Sequence, residues 1–385
     1  MKIVSVVGAR PNFVKISPLL AEMRRHPDVC SLLVNTGQHY DANMADQFFQ
    51  ELQIPQADVS LEVGSGSHAY QTAEVMRRLE PVLDRLRPDA LVVVGDVNST
   101  LAATVTAVKL RIPVAHVEAG LRSFDRAMPE EINRLLTDAI SDYLFVTEEG
   151  ARQNLLREGV ADDKIFFVGN VMIDSLERYR SSWEHSRIRA QLGLPESAYG
   201  VVTLHRPSNV DDPIVLGDLL KALSEVARQL PVVFPCHPRT RTRIAQLNGS
   251  VSGLELRSDR ADTPGLCCVD PLGYLDFMAL VASARIVFTD SGGLQEEAAV
   301  LGVPCLTLRE NTERPVTVTH GTNRVVGTSP ARIVQEAIRV LQTPAPSPSR
   351  PPLWDGNASE RIVAILRDRL RRVPGLTGDG QRNHT

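Results

Sequence analysis

Short runs of apolar residues, many of them β-branched, alternate along this chain with segments whose apolar residues recur at helical spacing. In the first half the predicted strands are residues 3–7, 32–34, 90–94, 114–117 and 143–146. In the second half they are residues 200–204, 232–234, 286–288 and 304–308. Continuously apolar strands separated by helices are typical of parallel sheets that are covered on both faces. The pattern therefore predicts an α/β protein with two doubly wound, Rossmann-like domains.

The polar helical stretch 174–191 lies between the two halves. We expect an N-terminal domain over residues 1–170 and a C-terminal domain over 171–356. A proline-rich segment, 343–352, predicts an extended connector. The amphipathic pattern that follows predicts a helix within 357–373, and the polar residues 374–385 predict a disordered tail.

The composition is that of an ordinary soluble protein, with 43% hydrophobic and 23% charged residues among 385. A net charge of -4 gives no reason to expect nucleic acid or an acidic membrane surface as a partner. No apolar run approaches the roughly 20 residues that span a membrane, and the first one is too short for a signal peptide. We therefore expect a cytoplasmic protein.

The cysteines are odd in number and lack the paired spacing of metal sites, which fits a reduced compartment. We expect all of them to be thiols that pack in the core. They are Cys30, Cys236, Cys267, Cys268 and Cys305.

Polar residues follow several predicted strands, which is where doubly wound sheets bind ligands. After the first strand, Arg10 and Lys15 lie near a predicted helix N-terminus, a place that favours anions. Asp96, Glu118 and Glu130 follow at three successive loop mouths. Asp96 alone could be a helix cap, but a carboxylate such as Glu118 at the end of a buried strand is costly unless it is paired or functional.

In the second half, His205 and His237 each follow a strand and each has an arginine nearby, which favours an anionic ligand. The segment TDSGGLQEE, 289–297, is a strand, a Ser-Gly-Gly turn and a helix start, an arrangement that presents backbone N–H groups to phosphate. Glu297 could accept hydrogen bonds from ribose hydroxyls. The alternative interpretation is a turn in which Asp290 or Ser291 only caps the helix.

Residues 64–69, GSGSHA, match a loose dinucleotide fingerprint. The preceding segment is a poor strand, and no acidic residue follows at the ribose spacing, so we expect no nicotinamide cofactor. The chain also contains no Asp-x-Asp pair of the kind that holds a metal beside a diphosphate. We therefore expect a diphosphate ligand to bind without a divalent metal.

Seven segments, in order, cover residues 1 to about 330: GARPNFVK, GDVNSTLA, HVEAGLRS, MPEEINR, TLHRPSNVD, TDSGGLQEE and RENTERP. Together they resemble the non-hydrolysing UDP-N-acetylglucosamine 2-epimerase family. The resemblance implies the glycosyltransferase-B-like arrangement, with two Rossmann-like domains facing a cleft and a C-terminal helix crossing back to the first domain. It also implies a UDP-sugar substrate, no cofactor, a homodimer and a role in cell-surface polysaccharide biosynthesis.

The resemblance assigns catalytic roles to Asp96, Glu118, Glu130 and His205. It assigns nucleotide or diphosphate contacts to Arg10, Lys15, His237, Phe277, Ser291, Gly292, Gly293, Glu297 and Arg314. Two segments depart from the family pattern, 205–208 and 38–47. Both regions are associated in bacterial members with activation by a second substrate molecule, so the resemblance does not carry that regulation to this chain.

The implied reaction is reversible epimerisation at carbon 2 of UDP-N-acetylglucosamine, through anti elimination of UDP to 2-acetamidoglucal and re-addition. Three enzyme alternatives stay open. The substrate could be a UDP-2,3-diacetamido-2,3-dideoxy-uronic acid, a hydrolysing epimerase could release the free sugar, and a glycosyltransferase could share the fold. The three acidic loop mouths weigh against the transferase, which mainly needs one base.

Overall fold

The structure is a computed structural model that describes residues 1–38, 49–196, 198–247, 256–257, 263–344 and 350–372. The side chains of Arg10 and of residues 256–257 are outside this description, as are most of the segment 38–47 and the tail 374–385. The chain forms two compact units. Unit 1 is Met1–Arg178 together with the segment that begins at Pro352, and unit 2 is Tyr179–Pro351.

Unit 1 contains a seven-stranded parallel sheet in the order β3-β2-β1-β4-β5-β6-β7. The strands are β1 Lys2–Val7, β2 Cys30–Asn35, β3 Val59–Ser60, β4 Ala90–Val94, β5 Val114–Ala119, β6 Tyr143–Val146 and β7 Ile165–Phe167. The helices are α1 Arg10–Arg24, α2 His68–Leu86, α3 Asn98–Lys109, α4 Pro129–Ile140, α5 Glu149–Arg157 and α6 Val171–Arg178. The strand order reverses at β1 and β4, so their carboxyl ends form the switch point where such sheets bind ligands.

Unit 2 repeats the design with the order β10-β11-β9-β8-β12-β13-β14, again all parallel. Its strands are β8 Gly200–Thr203, β9 Pro231–Pro235, β10 Leu256–Arg257, β11 Gly265–Val269, β12 Ile286–Thr289, β13 Cys305–Thr307 and β14 Asn323–Val325. Its helices are α7 Arg180–Glu184, α8 Ile188–Gln191, α9 Pro207–Val210, α10 Pro213–Val226, α11 Pro238–Leu247, α12 Tyr274–Ala282, α13 Gly292–Leu301, α14 Val316–Thr319 and α15 Pro330–Gln342. Here the order reverses at β8 and β12.

The strands are continuously apolar because both faces of each sheet are covered. All five residues of β4 are buried, and so are all four of β12. The two expected doubly wound α/β sheets are therefore present. The chain leaves unit 1 after Arg178 rather than after residue 170, because α6 packs against α1.

The last described helix, α16 (Ala358–Arg371), belongs to unit 1 and packs against α1 and α6. Its buried face is apolar and includes Ile362 and Leu366. Asp174 in α6 accepts hydrogen bonds from the amides of Ala358 (3.0 Å) and Ser359 (2.6 Å), so the start of α16 is capped from another helix.

Four of the cysteines are buried, but Cys30 at the start of β2 is exposed, so the expectation of a core position was wrong for that residue. In the described parts of the chain, no helix combines the length and the apolar character needed to cross a membrane.

Candidate active site

In unit 1, Glu118 is the penultimate residue of β5 and has a left-handed backbone conformation, with a φ of 75°. Its carboxylate lies 2.5 Å from the Lys15 ammonium of α1, and both side chains are almost wholly buried. The turn after β4 passes over this pair, since a Cβ at Gly95 would lie 3.0 Å from Lys15 Nζ. In this structure Lys15, for which a diphosphate contact was expected, is thus the counter-ion of the Glu118 carboxylate.

The Asp96 carboxylate follows β4 and lies 2.5 Å from the Arg134 guanidinium of α4. Arg134 also donates twice to Glu131, at 2.6 Å and 3.0 Å. Asn133, the preceding residue, donates to the Asp96 carbonyl at 2.9 Å. These contacts fix the Asp96 loop on the first turns of α4, where Glu130 is half-buried. The structure therefore brings Asp96 to the helix that carries Glu130.

Glu131 is the buried neighbour of Glu130, and it accepts hydrogen bonds from the amides of Ser123 and Phe124 at 2.9 Å each. Burial acts to raise its pKa, but the Ser123 amide and the Arg134 guanidinium outweigh burial, so the pKa of Glu131 is lowered. The sequence analysis singled out Glu130 and gave Glu131 no role. The signal for the difference is the helix period, which turns only one of two adjacent residues inward.

His116 and Asp138 form a buried pair that supports the same loops. His116 Nδ1 lies 2.6 Å from an Asp138 oxygen, and Nε2 lies 2.8 Å from the Gly95 carbonyl. Asp138 also accepts from the Gly120 amide at 3.0 Å and pairs with Arg122 at 2.7 Å. Burial acts to raise the pKa of Asp138, but the adjacent His116 ring and the Arg122 guanidinium outweigh it, so the pKa is lowered. This network holds the backbone on both sides of Glu118.

In unit 2, His205 follows β8 and Asp290 follows β12, at the switch point of the sheet. His205 Nδ1 lies 2.9 Å from Asp290 Oδ1. The Asp290 side chain is fully buried, whereas that of His205 is 56% exposed. Burial acts to raise the pKa of Asp290, but the adjacent His205 ring and the amides of Arg206 and His205 outweigh it, and the pKa is lowered. Asp290 was considered only as a helix cap from the sequence.

The Ser-Gly-Gly turn begins α13, with Ser291 as the residue before its first turn. A Cβ at Gly292 would lie 2.5 Å from Arg314 Nη1 and 2.8 Å from Glu313 Oε1, so only glycine fits there. Arg314 is buried and pairs with Glu296 at 2.8 Å and with Glu313 at 2.7 Å. Arg314, expected to contact the nucleotide, therefore lies directly beneath the turn that was expected to bind the diphosphate.

Glu297, in α13, is buried and accepts a hydrogen bond from the Tyr274 hydroxyl at 3.1 Å. Burial raises the pKa of Glu297 to about 8, even though the Tyr274 hydrogen bond acts in the opposite direction. Near neutral pH, this carboxyl group is therefore held largely in its protonated form in the absence of ligand.

The other expected nucleotide residues lie in less buried places. His237 after β9 is exposed, and its Nδ1 accepts from the Arg239 amide at 3.3 Å. Phe277 is half-buried in α12. Gly293 is in the first turn of α13, and Arg10 begins α1 but its side chain is outside the described atoms. Among the residues whose side chains are described, no group of three or more His, Cys, Asp or Glu side chains is arranged so that it could hold a metal ion.

A family model described as UDP-N-acetylglucosamine 2-epimerase matches residues 21–367. The UDP-N-acetylglucosamine 2-epimerase of Methanocaldococcus jannaschii is 40% identical over 371 residues, which are 95% of this chain and 99% of that protein. A crystal structure of that protein with UDP-GlcNAc and UDP has a TM-score of 0.86 at 39% identity, covering 96% of this chain and 100% of the other.

A UDP-2,3-diacetamido-2,3-dideoxy-D-glucuronate 2-epimerase of Pseudomonas aeruginosa is similarly close, with 41% identity over 341 residues, 88% of this chain and 91% of that protein. A crystal structure of the Neisseria meningitidis UDP-GlcNAc 2-epimerase bound to UDP-GlcNAc has a TM-score of 0.83 at 30% identity, covering 96% and 100% of the two chains. These similarities in sequence and structure extend over most of the chain, so they show both common ancestry and a common fold. The chain belongs to the UDP-N-acetylglucosamine 2-epimerase family.

Proposed function

We propose that this protein interconverts UDP-N-acetylglucosamine and UDP-N-acetylmannosamine without hydrolysing either. The observation that carries the proposal is the 40% identity, over 95% of the chain, to a relative with that activity in its name. The carboxylates Asp96, Glu118 and Glu130 support it, because the first two are set in cationic surroundings and all three are in unit 1.

Carbon 2 of the sugar is not adjacent to a carbonyl group, so its hydrogen is not acidic in the resting substrate. Breaking the bond between carbon 1 and the UDP oxygen leaves positive character on carbon 1, which acidifies the hydrogen on carbon 2. A carboxylate takes that proton, UDP departs with the electron pair of the broken bond, and a double bond forms between carbons 1 and 2. The product of this anti elimination is 2-acetamidoglucal.

Re-addition of UDP completes the epimerisation, with the proton now delivered to the other face of carbon 2. A protonated group delivers a proton to carbon 2 from the opposite side, and a UDP oxygen attacks carbon 1. This sequence needs one general base and one general acid, roles suited to the unit 1 carboxylates. Their buried cationic partners, Lys15 and Arg134, keep the acidic side chains in fixed positions.

Departure of UDP requires stabilisation of its developing negative charge. In unit 2 the amides of Gly292 and Gly293 at the start of α13 suit a diphosphate, as does the exposed edge of the His205 ring. The Ser291 amide donates to Thr289 Oγ1 at 2.9 Å, so we propose that Ser291 contributes through its side chain. We propose that His205 acts on the departing UDP rather than on the hydrogen of carbon 2. The site as proposed uses no metal and no redox cofactor.

Proton NMR of UDP-N-acetylglucosamine incubated with the enzyme in heavy water tests the function. We expect UDP-N-acetylmannosamine that carries deuterium at carbon 2. Free N-acetylmannosamine would instead show a hydrolysing epimerase. Turnover of a UDP-2,3-diacetamido-glucuronate but not of UDP-N-acetylglucosamine would assign the substrate of the Pseudomonas aeruginosa relative.

We further propose that the protein is a cytoplasmic homodimer that serves cell-surface polysaccharide synthesis. Leu136 and Ile140 support the dimer, because they lie one helical turn apart on α4 and are 49% and 38% exposed. Replacing Leu136 by Asp should yield a monomer in sedimentation experiments. A wild-type protein that is already monomeric at micromolar concentration would contradict this proposal.

A further inference from the structure

The carboxylate of Asp290 is the meeting point of the two turns that end β8 and β12 in unit 2. It accepts from the amides of His205 (3.1 Å) and Arg206 (3.0 Å), and from the side-chain amide of Asn209 (3.2 Å). The His205 ring approaches the same carboxylate at 2.9 Å through Nδ1. Since Asp290 directly precedes Ser291, one residue ties the histidine turn to the Ser-Gly-Gly turn.

We propose that Asp290 is a positioning residue for His205, holding a proton on Nδ1 so that Nε2 is the ring nitrogen presented to the departing phosphate. This inference rests on the proposed role of His205 in UDP departure. Because the two nitrogens lie on opposite edges of the ring, engaging Nδ1 with a buried group turns Nε2 away from it. The 56% exposure of the His205 side chain agrees with that orientation.

The charge of Asp290 matters as well as its shape. A carboxylate offers only acceptor positions, so its partner Nδ1 must donate. When Nε2 also carries a proton, that N–H can donate to a phosphate oxygen. An asparagine has nearly the same shape but carries two N–H donors, so it does not fix the proton on Nδ1.

The other charged groups near this pair are already matched. Arg206 donates through Nε to the backbone carbonyl of Asp290 and reaches Glu313 at 3.4 Å. Glu313 in turn pairs with Arg309 at 2.9 Å and Arg314 at 2.7 Å. The carboxylate that approaches the His205 ring is therefore that of Asp290.

The test compares three variants of the full chain. Asp290→Asn removes the charge, and Asn209→Ala removes a different hydrogen bond to the same carboxylate. Asp212→Asn is the same chemical change at the exposed N-cap of α10, where aspartate and asparagine cap a helix about equally well. UDP affinity is measured by calorimetry, turnover with UDP-N-acetylglucosamine, and the proton position by nitrogen-15 NMR of the histidine rings, with the His205 signals assigned through His205→Gln.

We expect Asp290→Asn to lower kcat by between about 10- and 10⁴-fold, the range seen when the partner of a metal-bound or catalytic histidine is changed. UDP affinity should change by less than about threefold, and the His205 ring should shift from a protonated to an unprotonated Nδ1. Asn209→Ala should leave the ring signals of His205 as they are in the wild type. Asp212→Asn should retain the wild-type turnover.

Two results would overturn the inference. One is an unchanged Nδ1 signal in Asp290→Asn, and the other is an equal change of the His205 signals in Asn209→Ala, which would show a merely structural role. A failure of the proposed function would look different, because the wild-type protein would then bind UDP without epimerising the sugar. The ring-nitrogen measurement would still decide the role of Asp290 in that case.

Discussion

Glu118 and Lys15 illustrate how single residues in unit 1 depend on each other. The two charges are 2.5 Å apart and almost wholly removed from water. Each ion loses its hydration on burial, and their mutual attraction offsets that loss only while both are present. The same reasoning applies to Arg134, which serves both Asp96 and Glu131. A substitution at one of these residues therefore acts on its partner as well.

We predict that Asp96→Asn, Glu118→Gln and Glu130→Gln each lower turnover by about 10²–10⁴-fold, the usual effect of losing one general acid–base group. UDP affinity should stay close to that of the wild type, because the proposed diphosphate contacts are in unit 2. Steady-state rates and calorimetric titration with UDP measure the two quantities. Variants that bind UDP poorly yet keep their turnover would make these carboxylates nucleotide contacts.

Glu118→Gln should also destabilise unit 1, because it leaves the Lys15 ammonium buried without a counter-ion. Losing one partner of a buried pair costs about 3–5 kcal/mol. The double variant Lys15→Met with Glu118→Gln should recover most of that loss while remaining inactive. Denaturant unfolding measures the stability of each variant. Equal destabilisation of the single and double variants would show that the ion pair is not the cause.

Glu297 gives a prediction about pH. Its pKa in the folded protein is about 8, above the ordinary value of 4.5, so the native state holds a proton that the unfolded chain has released. The stabilisation is complete below pH 4.5 and is lost as the pH rises toward 8, at a slope of about 1.4 kcal/mol per pH unit. Glu297→Gln should remove this part of the pH dependence.

The difference between wild type and Glu297→Gln, measured by denaturant unfolding across that range, isolates the contribution of this one group. Glu225→Gln, at an exposed position of α10, is the matched control and should follow the wild type. Parallel stability curves for wild type and Glu297→Gln would contradict a raised pKa.

At this scale the sequence indicated candidate residues for the site but not which residues they contact. The strand ends predicted the positions of Asp96, Glu118 and His205, because polar residues there interrupt an otherwise apolar pattern. The contact between Lys15 and Glu118 joins α1 to β5, and nothing in a local pattern specifies it. The role of Asp290 is ambiguous in the sequence for the same reason, because an aspartate can either cap a helix or accept a hydrogen bond from a histidine.

At the scale of elements, most of the longer strands were predicted and most of the shortest were not. The exceptions are the five-residue β11, which the sequence analysis missed, and the three-residue β13, which lies within the predicted apolar run 304–308. Apolar runs such as β1, β4 and β12 carry enough residues to show that both of their faces are covered. Strands β3 and β10 have two residues each, and β7 and β14 have three, which is too few to form a pattern. Their existence is decided by neighbouring strands that offer hydrogen-bond partners.

The start of α13 gives a prediction for an element. Gly292→Ala would place a methyl group 2.5 Å from Arg314 Nη1, and Arg314 is held by two buried carboxylates and cannot move aside freely. We expect at least about a tenfold loss of UDP affinity by calorimetry, together with a loss of stability of about 1–3 kcal/mol from overpacking.

Gly150→Ala is the matched control for Gly292→Ala, because Gly150 also lies in the first turn of a helix, α5. The methyl group there would meet only the end of the Glu148 side chain, at 3.0 Å. This variant should keep UDP affinity and be as stable as the wild type or slightly more so, since alanine favours a helix. Normal UDP binding by Gly292→Ala would mean that the turn is not the diphosphate site.

At the scale of the whole molecule, each unit contains one of the two tryptophans, which allows the units to be followed separately. Trp354 in unit 1 donates to the Thr147 carbonyl at 2.9 Å, and Trp183 in unit 2 lies beneath the Arg180 guanidinium. Both rings are buried, so the fluorescence of each should change when its own unit unfolds.

We predict that Leu366→Ala, on the buried face of α16, lowers the denaturant midpoint reported by Trp354 in a Trp183→Phe background. A cavity of this kind costs about 2–5 kcal/mol. The midpoint reported by Trp183 in a Trp354→Phe background should stay unchanged. Leu223→Ala, in the core of unit 2, is the converse control. If the two tryptophans reported the same shift of the denaturant midpoint in every variant, the units would unfold as one.

The return of the chain to unit 1 at Pro352 also bears on the order in which the molecule is finished during synthesis. The ribosome makes all of unit 2 before it makes the helix that completes unit 1. Until then, the face of α1 that α16 covers is open to water, and the Asp174 carboxylate lacks the amides of Ala358 and Ser359. Unit 1 is therefore begun before unit 2 but completed after it, and the nascent protein depends longest on protection of unit 1.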